Sequence, residues 1–141
     1  MMKQPELSYQ DYLKSSLWRS RHKDWLQRTH NRCQLFPWVR VGSIRGKYHP
    51  YAIHHMHINA YRRQGREFWN RDVIVLSPFA HDFIFHWLVS GGKRKVRYQK
   101  DFPNIAQRSL NWWCRVMGLI LLFPGWAILV VSFVLVIHFL N

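Results

Sequence analysis

Acid is scarce in this chain. Seven Asp and Glu stand against 21 Lys and Arg in 141 residues, a formal net charge of +14. Such a field argues against a cationic partner and favours a polyanion, either nucleic acid or an anionic membrane face. Cysteine is almost absent as well. Cys33 and Cys114 are the only two, and they lie far apart in different contexts. They offer no disulfide framework, so a reducing compartment fits better. Glycine and proline are missing from Tyr9 to His30, which leaves that stretch uninterrupted for a helix. No internal repeat and no low-complexity tract occurs, and at this length one domain is expected.

A second absence is local. From Val116 to Ile137, 22 residues run without one charge. As a helix rising about 1.5 Å per residue, they would reach about 33 Å, enough for a hydrocarbon core of roughly 30 Å. Trp112 and Trp113 precede the run as interfacial aromatics do, and a kink at Pro124-Gly125 is tolerable in a membrane helix. Lys93, Arg94, Lys95, Arg97, Lys100, Arg108 and Arg115 lie just before it, and only His138 lies beyond. Positive flanks stay cytoplasmic, so the N-terminal part is expected to face the cytosol. The resulting layout is a folded domain over 1–92, a basic juxtamembrane linker over 93–115 and a transmembrane helix over 116–140.

Within the first 92 residues, Leu13, Leu17, Trp18, Trp25 and Leu26 recur at helical spacing, with Ser8 placed to cap the helix. The stretch 38–55, WVRVGSIRGKYHPYAIHH, is rich in β-branched and aromatic residues and broken by Gly42, Gly46 and Pro50, as short strands with turns are. It ends in His54 and His55. Asp72 opens a second β-type run, VIVL. Ser77-Pro78 reads as an N-cap and first helical residue, and the helix is expected to reach about Val89 before Gly91-Gly92. His81 falls in its first turn. Strand alternation sends His54 and His55 to opposite sides, one toward a metal and one toward substrate.

These residues resemble an HNH endonuclease, a ββα-metal nuclease fold within the α+β class. The resemblance covers roughly Tyr12 to Leu88. It is carried by YLKSSLW at 12–18 with His22, Leu26, Arg28 and Cys33; by IHH at 53–55 with Tyr61, Gly65 and Glu67; and by Asp72-Val73, Leu76, Ser77, Ala80 and His81. It implies His54 and His81 as metal ligands and His55 as the general base. It puts Asp72 where an Asn usually stands, to bind metal or orient the base. One divalent cation, Mg²⁺, Mn²⁺, Zn²⁺ or Ni²⁺, would be the cofactor. The chain also departs from the pattern. Of four cysteines that hold a structural zinc in many relatives, only Cys33 is present; Phe36, Ser77 and Ala80 occupy the other positions, so no structural zinc is expected. His81 and His86 are five apart, roughly 140° around an ideal α-helix of 3.6 residues per turn, which makes His86 the weakest of the three ligands. Asp82 is placed to pair with His86 instead. His57 is an extra histidine near the pair.

The functional expectation is a metal-dependent endonuclease acting on DNA, with RNA left open in its place, tethered to the cytoplasmic face of a membrane. Arg62, Arg63, Arg66 and Arg71 lie nearest the proposed metal in sequence and are the expected phosphate contacts. The alternative is an HNH-like module without chemistry, binding nucleic acid or a membrane surface.

Overall fold

The computed structural model of the protein describes residues 8–57, 60, 63–89 and 104–123. It is an α+β structure in which two small antiparallel sheets are surrounded by helices. Helix α1 (Tyr9–Lys14) and helix α2 (Ser16–Arg28) come first. The single helix expected over this stretch is thus broken at Ser15. That residue is extended, with φ −68° and ψ 156°; its hydroxyl accepts from Trp18 N at 3.1 Å and donates to Tyr12 O at 2.7 Å. Serine competes with helical backbone bonding in this way, and here it ends one helix and caps the next. The break lets Tyr12 of α1 and Trp18 and Trp25 of α2 enter one core.

Strands β1 (Gly42–Ile44) and β2 (Lys47–His49) form a hairpin, Gly42 opposite His49. Its turn carries positive φ at both Arg45 (50°) and Gly46 (79°), the twist that suits a two-residue hairpin loop. Strands β3 (Ala52–His55) and β4 (Val73–Leu76) pair antiparallel, His54 opposite Ile74 and His55 opposite Val73. All four β4 residues are buried, which explains its unbroken apolar run. The Ser77 hydroxyl then accepts from Ala80 N at 3.3 Å, the cap expected there. The helix that follows, Phe79–Val89, is π-helical rather than α-helical.

Helix α3 (Ile105–Leu122) crosses the boundary expected between linker and span. Residues 105–115 are helical, and Gln107, Cys114, Gly118 and Leu121 are buried. No helix among the described residues is long and apolar enough to cross a membrane. Residues 93–103 of the expected linker and 124–141, the rest of the expected span, lie outside the described residues. What seats α3 is a pair of amides. Buried Gln34 exchanges bonds with Val75 of β4 on both its backbone N and its Oε1, at 2.9 and 2.8 Å. Its Nε2 donates to Cys114 O at 3.0 Å and to Asn70 Oδ1 at 2.9 Å, and Asn70 Nδ2 donates to Arg115 O at 2.9 Å. Gly118 makes this approach possible, because a Cβ there would fall within 2.5 Å of Gln34 Nε2 and closer still to Asn70 Oδ1.

The clasp yields a prediction whose sign is informative. At an open helical site, Gly→Ala stabilises by about 1 kcal/mol. Gly118→Ala is instead expected to destabilise by about 1–3 kcal/mol, the usual range for overpacking. Thermal unfolding of the full chain reads this directly. A raised midpoint would show that α3 does not seat on Gln34 and Asn70.

Candidate metal centre

His54 projects from β3 toward the π-helix, against Phe85 at 4.6 Å between ring centroids. The π-helix returns His81 and His86. The ligating nitrogens of His54, His81 and His86 all lie within 4.8 Å of one another, a group that can hold a metal ion. The five-residue spacing, which is wide on an α-helix, is the reason they meet. A π-helix closes i→i+5 hydrogen bonds, so residues five apart come back to nearly one face. His86 is therefore a full member of the group, contrary to the expectation from α-helical spacing.

The spacing of the two helical histidines suits one ion. His81 Nε2 and His86 Nε2 are 3.0 Å apart. Two nitrogens each about 2.0–2.1 Å from a shared cation, at an angle between square and tetrahedral, sit roughly 3 Å apart. His81 Nδ1 also lies 2.9 Å from Asp82 Oδ1. An N–H donated there leaves Nε2 as the ligating atom, the usual support for a metal-bound imidazole. Asp82 therefore pairs with His81, not with His86.

His55 turns the other way, toward α1 and α2. Its Nδ1 is 3.2 Å from the Tyr9 hydroxyl, and its ring stacks on Trp18 at 5.2 Å and 12°. The two neighbouring histidines part as strand alternation requires, yet both border the same cleft of about 320 Å³, which His22, His81, His86, Tyr9 and Trp18 also line. Burial, with Glu67 next, holds the Tyr9 hydroxyl protonated well above its ordinary range. Tyr9 is the site residue that the sequence did not reveal. It is one of several aromatics in an N-terminal helix, and nothing local marks its partner 46 positions away.

Asp72 does not join the histidines. Its fully buried carboxylate accepts from Phe68 N at 2.9 Å and Arg63 Nη1 at 3.1 Å on one oxygen, and from Arg71 Nε at 3.3 Å on the other, where His57 Nε2 lies at 3.0 Å. It ties the segment between β3 and β4 together, and its backbone carbonyl accepts from Met56 N at 2.9 Å beside His55. A buried carboxylate needs such partners. Its carboxylate is held by these partners, outside the group formed by His54, His81 and His86. Two of the four expected phosphate contacts, Arg63 and Arg71, are engaged here; Arg66 is exposed. Arg62 lies outside the described residues.

Cys33 and Ser77 come together, the sulfur accepting from Ser77 N at 3.3 Å, and Ala80 is buried next to them. Phe36 packs on Phe79 at 6.3 Å between centroids. The positions that bear zinc cysteines in the resembling family thus form an apolar corner with one thiol.

His22 carries a pH prediction. Its Nδ1 is 3.0 Å from the Tyr51 hydroxyl, and burial lowers its pKa to about 4. The unfolded imidazole protonates near its usual value of about 6.5. Between these values the unfolded chain binds a proton that the folded chain refuses, so stability falls as pH drops from about 6.5 to about 4. His22→Gln is expected to flatten that part of the stability–pH curve, measured by denaturant unfolding. An unchanged slope would show that His22 is not the group responsible.

No family model, curated protein or solved structure matches this chain.

Proposed function

We propose that this protein is a metal-dependent endonuclease of the HNH type that hydrolyses phosphodiester bonds in DNA. We further propose that the uncharged sequence beyond Leu122 tethers it to the cytoplasmic face of a membrane. The observation that carries the reading is the meeting of a strand histidine, His54, with two helical histidines, His81 and His86, in the cleft that also holds His55. A ββα-metal nuclease would bring a strand histidine and helical histidines together in this way, with a base next to the ligand set.

In this reading His54, His81 and His86 hold one divalent cation, with Asp82 orienting His81. The bound ion supplies positive charge at the phosphate and leaving oxygen. His55 takes the proton from the attacking water. Tyr9 occupies the Nδ1 side; in the tautomer that donates Nδ1–H to the phenolic oxygen, Nε2 is the atom that accepts the proton. Trp18 stacked on the ring holds its plane. The +14 charge and exposed groups such as Arg66 attract the phosphate backbone without reading its sequence.

The test is nicking of supercoiled plasmid by the full chain in detergent, with Mg²⁺, Mn²⁺, Ni²⁺ or Zn²⁺ added singly and an RNA arm in parallel. Nicking that needs one of these ions, stops with chelator and weakens with salt is expected. Cleavage with no ion, or salt-sensitive DNA binding with no cleavage under any of them, would overturn the enzyme in favour of a binding module. The full chain is required. Cutting after residue 110 would remove Cys114, Arg115 and Gly118, where the Gln34–Asn70 clasp holds α3.

A further inference from the structure

The π-helix carries a row of aromatic rings that the cleft does not use. Phe79 stacks on Phe83 at 5.1 Å and 17°, and Phe83 on Trp87 at 5.0 Å and 22°. Phe36 extends the row to Trp38, 6.3 Å from Phe79 on one side and 5.5 Å from Trp38 on the other. Phe79, Phe83, Trp87 and Trp38 are 42–73% exposed. A continuous exposed apolar strip of this kind marks an interaction surface.

Three observations identify what it meets. The π-helix, FAHDFIFHWLV, has no Lys or Arg and one acid, Asp82. Base-stacking platforms on nucleic-acid proteins run beside basic groups, and this row has none on its own helix. Helix α3 approaches the row at its Phe36 end, where Trp113 Nε1 donates to the neighbouring Leu35 O at 3.2 Å. From there the exposed side chains of Trp112, Leu119, Ile120 and Phe123 lead to residues 124–141, which contain no Lys, Arg, Asp or Glu. Finally, Asn104 Nδ2 donates to Val89 O at 3.1 Å. Val89 and Asn104 thus lie together two residues beyond Trp87, and the sequence between them holds Lys93, Arg94, Lys95, Arg97 and Lys100. An exposed aromatic row that ends where a sequence rich in Lys and Arg begins suits an anionic phospholipid surface.

We propose that the row Trp38–Phe36–Phe79–Phe83–Trp87 seats the domain in the headgroup–acyl boundary of an anionic bilayer. This rests on the membrane tether proposed above. His81 and His86 point from the same helix into the cleft, so seating on the aromatic row leaves the histidine group open to the aqueous side. The domain would lie on the membrane in a fixed pose and not swing on a linker.

The experiment uses the full chain with Phe83→Cys or, as a second reporter, Trp87→Cys, labelled with a thiol-reactive environment-sensitive fluorophore. Cys33 and Cys114 are fully buried and unreactive in the folded chain. Lys47→Cys on exposed β2 is the control. Each is reconstituted into phosphatidylcholine–phosphatidylglycerol vesicles carrying nitroxide lipids labelled high on the acyl chain. Blue-shifted emission and several-fold stronger nitroxide quenching at positions 83 and 87 than at 47 are expected. Equal quenching at all three overturns the seating face. Protection of position 83 from aqueous iodide without nitroxide quenching also overturns it, because protein would then cover the row, either a second copy or residues 124–141. Flotation of the wild type with the same vesicles reads the tether separately. A chain that floats with position 83 unquenched loses only the seating face; one that does not float loses both.

Discussion

His55→Ala is expected to slow plasmid cleavage by about 10²- to 10⁴-fold, the usual contribution of a positioned general base. Metal and DNA binding are expected to stay near wild type. The division follows from the side chains' directions: His54 meets His81 and His86, whereas His55 meets Tyr9 and Trp18. Removing the His55 ring takes no nitrogen from the ligand group. Tyr9→Phe probes the same step more finely. It deletes the partner of Nδ1 and keeps the packing, for a loss of about 1 kcal/mol, or several-fold in rate. Its specific readout is the acid limb of the rate–pH profile and the ring-nitrogen tautomer seen by NMR, which a purely structural role would leave unmoved. If His55→Ala cleaves at the wild-type rate, the base is misassigned. His57 is then a poor replacement, since it sits on Asp72; His22, which borders the cleft, is the next residue to test.

Much of this site is local and therefore legible in the sequence. The histidine pair ends a β-type run, VIVL reads as a buried strand, and Ser77 caps a helix, all from neighbours a few positions apart. What failed to show depends on distant partners or on a backbone choice without a sequence signature. Nothing in FAHDFIFHWLV distinguishes a π-helix from an α-helix by composition. The five-residue spacing of His81 and His86 is the one clue, and under α-helical geometry it points the wrong way. Asp72 shows as an acid in a basic segment, but its closure over Arg63, Arg71 and His57 requires the folded loop. The uncharged run from Val116 reads as the start of a span. Gln34, 80 positions before Cys114, is what draws α3, and with it the start of that run, onto the domain.

The metal group offers the sharpest test of that backbone choice. Divalent cation added to the wild type is expected to raise its unfolding midpoint, because a ligand bound to the folded state alone stabilises it by about 2.7 kcal/mol at 100 times its Kd. Binding should weaken toward acid pH, since a ligating imidazole must be neutral. His54→Ala, His81→Ala and His86→Ala should each weaken calorimetric affinity by at least about 100-fold. Asp82→Asn, which only supports His81, should cost about 10–100-fold. His86 is the deciding variant. On an α-helix it would point away from His81, and its loss would leave binding unchanged. On the π-helix its Nε2 lies 3.0 Å from that of His81, and its loss removes one of three ligands. Wild-type affinity in His86→Ala, with affinity lost in His54→Ala and His81→Ala, would mean that the ion sits between β3 and the first helical turn alone. The π-helical return would then have no part in holding it.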